Sequence, residues 1–382
     1  MSTAAKPAGA SYLIAASKPT ATSKPTGPGA KRVGRGRRCL HAMVDDLAHV
    51  TVQQAAELAR ASWELMSLYP GDVETILETV QVIEQWAHAN NAPDLRDLDA
   101  DKMLRKLAGA KTLDGYLSPK KLDRLHLLRN TLSALRGTVL LHMTNPRKRS
   151  DRPAHDSLDR GLPTLPPRYD RARRPMTDDE ILLGNILVEI DLHENAPLLP
   201  ITAYLIGAAG VHTMESTALT TDHLNHRTEP TKIHAKGLWG WSGRTVSLDT
   251  FTAHALARTL STNAPGTQRL TYTGTSPGTK EACASLNPVV TRFLRRAGVA
   301  DPDVTVKSLT VARPWRIILH DRDFKTARKI HGGKTNNLLN DISCTIEETD
   351  HHKGKILLLD KESGHPVAKV KARHVAEIPA CS

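Results

Sequence analysis

Between residues 144 and 176 the chain runs through Asn145-Pro146-Arg147-Lys148-Arg149, then Pro163, Pro166 and Pro167, then Arg171 to Pro175. Proline has no amide hydrogen and its ring clashes with the carbonyl four residues back, so no regular helix passes through such a stretch. Like charges push its residues apart. The folded parts must therefore lie on either side, with 144–176 expected as an extended linker that spaces two units or crosses a phosphate backbone. A length of 382 residues suits two globular units with tails.

Upstream, residues 45–143 read as helical throughout. After Gly71-Asp72, an N-cap signal, Val73, Ile76, Leu77, Val80, Ile83 and Trp86 recur at three- and four-residue spacing on one helical face. A short helix follows Asp99 with Met103, Leu104 and Leu107. Ser118-Pro119 opens another, with Leu122, Leu125, Leu128, Leu132, Leu135 and Val139 on its apolar side. Residues 1–44 contain no Asp or Glu and end in a basic cluster that includes Lys31, Arg32, Arg35, Arg37 and Arg38. Such a segment buries no core and is expected to be a disordered tail lying along phosphates.

Downstream, Thr177-Asp178-Asp179-Glu180 is a capping box before an apolar run, Ile181 to Ile190. Leu198 to Ala209 reads as a buried helix. Residues 231–248 read as two strands around Gly237-Leu238-Trp239-Gly240-Trp241-Ser242-Gly243. Trp239 and Trp241 stack on bases or anchor a core; their alternate placement favours one shared face and packing. Helices are expected at about 250–261, 286–297, 308–319 and 323–330. A terminal hairpin is expected from Lys355 to Leu359 and Val367 to Lys371 around Lys361 to Gly364. The fold class is therefore mainly α with a small β component.

The formal net charge of +12 points to polyanionic partners, nucleic acid first. Cys39, Cys283, Cys344 and Cys381 form no CxxC pair, so neither a zinc site nor a disulfide framework is expected. His351-His352 lacks companion ligands and reads as a solvated pair. No apolar run approaches the roughly 20 residues that span a bilayer, and no signal-peptide core is evident. The expectation is a cytoplasmic, nucleoid-associated chain without membrane contact, metal or cofactor. Phosphate-binding Walker loops, HExxH and Gly-x-Ser-x-Gly are absent from the sequence.

The order of parts, together with Asp94 to Leu98, Ser118 to Val139 and the entry Arg174-Pro175-Met176-Thr177-Asp178-Asp179-Glu180-Ile181, resembles the tyrosine recombinase and phage integrase family over roughly residues 73–342. The resemblance implies a helical, SAM-like core-binding domain at 45–143, a tyrosine-recombinase-like catalytic domain at 177–345, and a hairpin and tail at 346–382. It also implies a set of catalytic groups: two Arg on the scissile phosphate, a hairpin Lys, His residues and a Tyr nucleophile. Positioned cations stabilise the extra charge on the phosphorane.

Most of those groups are replaced here. The Gly-x-Arg-x-x-Glu turn matches Gly210 to Glu215 with His212 in place of Arg, and imidazole lacks the bidentate fork of guanidinium. The hairpin Lys matches Lys236, with Lys232 as substitute. The His-x-x-Arg element matches Lys307 to Thr310, so Lys307 stands for His and Thr310 for Arg. The Gly-His pair falls on Gly332-Gly333, the second position being Gly333, or near His331 in a shifted frame. The Tyr falls on Ile342. All six Tyr lie before residue 273. The function that follows is a DNA-binding protein without catalysis, an accessory or regulatory factor in site-specific recombination and integration by a mobile element. The alternative is an active recombinase with a displaced nucleophile such as Ser343 or Thr345. A third reading is an interaction scaffold without a DNA surface. The expected partners are double-stranded DNA and either an active recombinase subunit or further copies of the chain. The expected DNA contacts are the tail cluster, Arg147, Lys148 and Arg149 of the linker, Lys236 and Arg244 of the hairpin, and Arg313 and Arg316. The last two are displaced charges that would join Lys236, His212 and Lys307 in a cationic pocket.

Overall fold

A computed structural model describes residues 50–67, 70–113, 117–143, 157–168, 174–238, 240–261, 268–299, 301–343, 346–351, 355–360 and 366–371. The tail cluster Lys31 to Arg38, the linker group Arg147, Lys148 and Arg149, Trp239, Thr345 and the turn at 361–364 lie outside them. Among the described residues the architecture is mainly helical with two small antiparallel sheets.

Among the described residues four α-helices precede the linker: α1 (Val52–Ser62), α2 (Pro70–Ala89), α3 (Ala100–Ala108) and α4 (Pro119–Met143). Asp99 caps α3 by accepting from Lys102 N, and Gly109 ends it in the left-handed conformation that glycine adopts without strain. The apolar stripe on α2 packs inward as its spacing requires: Val73, Ile76, Val80 and Ile83 are buried, with Leu77 and Trp86 at the rim. On α4, Leu125, Leu128, Leu132, Leu135 and Val139 are buried.

The second half opens with α5 (Asp178–His193), sheathed on nearly every side, then α6 (Leu198–Ala208) and the single-turn α7 (Thr213–Thr217). Strands β1 (Lys232–Ala235) and β2 (Arg244–Ser247) pair antiparallel, Lys232 opposite Ser247 and Ala235 opposite Arg244. Then come α8 (Thr250–Ser261), α9 (Lys280–Arg296), α10 (Val306–Asp321), α11 (Phe324–His331) and α12 (Thr335–Ile342). A sheet of order β3 (Ile346–His351), β4 (Lys355–Asp360), β5 (Pro366–Lys371) closes the described chain. The terminal hairpin is thus a three-stranded meander. Its first strand, rich in Glu and Asp, has the low strand propensity that hides it in the sequence. Helix α9 starts six residues earlier than the expected 286, because Thr279 caps it through Ala282 N and Pro288 is accommodated inside it.

The two halves share one contiguous apolar core. Helix α4 lies along α5, and Gly137 makes the approach possible: a Cβ there would sit 2.9 Å from Ile186 Cγ2 and 3.2 Å from Leu158 Cδ1. Gly184 on α5 leaves room for the ring of Tyr204, whose hydroxyl donates to Ile181 O, 3.0 Å, and lies 3.0 Å from Asn185 Oδ1. Asn185 in turn donates to Met66 O at 2.6 Å, which ties the first half to the second.

Over its described residues the Pro- and Arg-rich segment differs from an extended, charge-repelled spacer. Leu158 and Leu165 are buried, Leu158 N donates to Arg296 O, and the Arg129 guanidinium binds Pro163 O and Asp159. Arg168 and Arg174 are buried with acids from distant positions: Arg168 on Asp179, and Arg174 on Glu180, Asp301 and Asp303. Those acids come from α5 and from the loop before α10, which the local sequence does not reveal. Arg174 is 1 % exposed. Removing one member of a buried ion network strands the others without water. Arg174→Ala is therefore expected to lower the unfolding free energy by about 3–5 kcal/mol. Arg60→Ala, which removes only the exposed pair with Glu84, should cost about 1 kcal/mol or less. Urea denaturation of both variants checks the contrast.

Candidate functional site

The site forms where the β1–β2 hairpin, the start of α7, the start of α10 and the ends of α11 and α12 meet. Gly237 has φ +77°, and a Cβ there would lie 2.4 Å from Trp241 O, so the hairpin mouth is closed tightly enough to require glycine. That closure folds Trp241 back toward α11, and Ser242 N donates to Gly332 O at 2.8 Å. Gly332, φ +78°, ends α11, and a Cβ there would sit 2.4 Å from Arg244 Nη1. On α10, Thr305 caps the helix through Ser308 N, which sets Lys307 on the first turn.

At the centre the Trp241 ring stacks on His212, centroids 4.5 Å apart and planes 25° off parallel, and lies 4.7 Å from His331 at a steep tilt. Gly333 N donates to His331 Nδ1 at 3.3 Å, which leaves the His331 proton on Nε2, 3.0 Å from Asp341 Oδ2. The other Asp341 oxygen pairs with Lys307. Burial alone would raise the Asp341 carboxyl; the hydrogen bonds from His331 and Lys307 outweigh it and hold the group below its ordinary value. His212 caps α7, its Nδ1 accepting from Met214 N at 3.4 Å. Burial, then the charge of Lys307, push its pKa down to about 4, so it is neutral at pH 7. Beneath lies Arg244, bidentate on Glu215 at 2.6 and 2.9 Å, its Nε donating to Ile330 O at 2.6 Å.

Of the positions named from the sequence, His212, Lys307, Gly333 and Arg244 come together here. Lys236 is exposed at the hairpin mouth beside Gly243. Thr310 faces inward, its hydroxyl donating to Lys307 O at 3.0 Å, and Ile342 is fully buried among core residues. Ser343 donates to Asn340 O, a helix-end contact. Three expected DNA contacts need correction. Arg244 points into the protein because its strand alternates, placing Arg244 and Val246 on the buried face. Arg313 is buried and donates to the carbonyls of Ala209 and Ser247. Arg316 is buried against Asp178, beside Met66, Val73 and Ile76 of the first half. With Arg316 on Asp178, Arg313 on backbone carbonyls and Lys236 exposed at the hairpin mouth, the cationic pocket expected from the sequence is not assembled.

Asp341 and the Arg244–Glu215 pairing escaped sequence reading, whereas Trp241, expected as a packing side chain, lies between the two imidazoles. The strand alternation that buries Arg244 was the one available signal. Two cations, Lys307 and Arg244, meet two carboxylates, Asp341 and Glu215, and His212 adds no charge at pH 7. Such a cluster is close to electroneutral and holds its own groups in place, with little field left for an anion. Among the described residues no group of three or more His, Cys, Asp or Glu is arranged to hold a metal ion, and no helix is long and apolar enough to cross a membrane. No protein-family model matches the chain, and no curated protein matches it.

The depressed His212 gives a pH signature. Its folded value of about 4 lies below the ordinary 6.5, so between these values the unfolded state binds the proton first and stability rises with pH. His212→Asn should flatten that part of the stability profile. Imidazole NMR of the wild type should show the neutral Nε2–H form of His212 persisting down to about pH 5.

Proposed function

We propose that this protein binds double-stranded DNA without cutting it, on the plan of a tyrosine recombinase, and acts as an accessory factor in site-specific recombination. The observation that carries the reading is the state of the residues standing where that family's catalytic groups fall. His212, Lys307 and Gly333 meet from three separate elements, yet the nucleophile position is the buried Ile342, the Arg positions are the neutral His212 and the inward Thr310, and Lys307 is engaged by Asp341. A phosphoryl transfer needs uncompensated positive charge aimed at the phosphorane and an activated oxygen to attack it; this cluster supplies neither.

Exposed cations beside the cluster support the DNA reading. The solvent face of the hairpin carries Lys232, His234, Thr245 and Ser247, with Lys236 at its mouth and no acid among them. Helix α11 buries Ala327, Ile330 and His331 and turns Lys325, Arg328 and Lys329 to solvent, and Lys334 follows. The hairpin and the end of α11 touch through Ser242 and Gly332, so the two sets of exposed cations lie on adjoining elements. Phosphate contacts of this kind give affinity that falls steeply with salt and is nearly independent of sequence.

Two outcomes are expected. On suicide substrates carrying a nicked duplex, no covalent protein–DNA adduct should form; an adduct mapped to Ser343 or any nearby side chain would instead establish an active enzyme with a displaced nucleophile. In gel-shift titrations, Lys325→Glu with Arg328→Glu and Lys329→Glu should weaken binding to all duplexes alike. The slope of log K against log salt should flatten by about 0.9 for each phosphate that the variant no longer neutralises. Absence of duplex binding by the wild-type chain at low salt would overturn the reading.

A further inference from the structure

Away from that cluster, the loop before α10 holds two adjacent carboxylates in an arrangement the site chemistry does not use. Asp301 and Asp303 are both about 5 % exposed. Each spends its Oδ2 on Arg174: Nη2 to Asp301 at 3.2 Å and Nε to Asp303 at 2.9 Å. Arg168 N also donates to Asp301 Oδ2 at 2.9 Å. The two remaining oxygens, Asp301 Oδ1 and Asp303 Oδ1, are buried with no hydrogen-bond donor. A buried carboxylate oxygen without a donor is costly, and two carboxylates gathered on one guanidinium repel unless a proton lies between them.

The surrounding charges do not remove the difficulty. From α5, Glu180 takes the other edge of the Arg174 guanidinium, 2.8 and 2.6 Å, and Asp179 takes Arg168. From α4, Asp123 lies 3.6 Å from Arg168, and His126 lies 3.8 Å from Asp301 while its Nε2 binds Pro166 O. Burial and Arg168 hold His126 down to about 4, so it brings no positive charge at pH 7. From α9, the Arg295 guanidinium is taken up by the carbonyls of Val299 and Asp301. Two guanidinium groups thus serve five carboxyls.

We propose that Asp301 and Asp303 share one proton between their Oδ1 atoms, and that this proton holds the 301–305 loop closed on Arg174, fixing the first turn of α10 and with it Lys307. The coupling is short. Asp303 stands two residues before Thr305, the cap of α10, and Lys307 is two residues further. The direction of the titration agrees: burial and the facing Asp301 push Asp303 up to about 7, while Asp301 stays below its ordinary value. When the pair loses its proton to solvent, two carboxylates face each other across the loop and the loop loosens. A raised folded-state value means stability that is full below the ordinary carboxylate range and is lost as pH rises to about 7, with no further loss beyond.

The test compares thermal midpoints of the full chain and Asp303→Asn from pH 5 to pH 8.5. The variant keeps a permanent donor between the two groups. The difference between the two midpoints should shift in favour of the variant as pH rises to about 7 and stay level above it, and taking the difference cancels the opposing contributions of His126 and His212. In parallel, amide exchange at Lys307 to Thr310, corrected for its intrinsic pH dependence, should speed up in the wild type between pH 6 and pH 8.5 but not in the variant. A midpoint difference that does not change with pH overturns the proposal. Should the variant fail to fold, infrared spectra of the wild type decide: a buried protonated carboxyl band at pH 6 that vanishes by pH 8.5 and is removed by Asp301→Asn supports the shared proton, and its absence at pH 6 refutes it.

Discussion

Arg174 takes its place by binding three carboxyls that the chain brings to it: Glu180 on the first turn of α5, and Asp301 and Asp303 more than 120 residues later. The arginine that would extend a linker by repulsion instead draws the loop before α10 onto the start of α5. Arg168, a few residues upstream, does the same for α4 and α5 through Asp123 and Asp179. Buried ion networks of this kind add little net stability over apolar packing, but they are intolerant of a missing member. They fix which helix ends meet, and here that sets the register of α4, α5 and α10 against one another.

That register positions the candidate site. Lys307 lies on the first turn of α10, His212 at the cap of α7 and Asp341 near the end of α12, and their meeting depends on α10 being seated correctly at its N-terminal end. Once assembled, the cluster satisfies itself. Each cation has a carboxylate, both imidazoles spend Nδ1 on a backbone amide, and Trp241 fills the space between the rings. The charges of the cluster are balanced internally. The charge available to a polyanion lies outside, on the hairpin and α11.

Much of the secondary structure was legible along the chain. The three- and four-residue spacing on α2 and α4, the Asp99 cap and the Thr177–Glu180 box mark elements that the structure contains, because they depend on local burial and capping alone. The hairpin at 231–248 and α8, α10 and α11 are legible for the same reason. Helix α12, strand β3 and the early start of α9 were not, since their segments mix polar residues or a proline into an otherwise regular pattern.

The sequence by itself determined the basic balance, the interruption at the proline-rich segment and the placing of all six Tyr before residue 273. Tertiary structure alone decided what each charge does. Arg244, Arg313 and Arg316 read alike in the sequence as surface cations, yet one meets Glu215, one caps backbone carbonyls and one meets Asp178 across the two halves. An arginine's role depends on the acid or carbonyl that long-range packing brings to it and on the water that packing removes. Neither is encoded in the residues next to it in the chain.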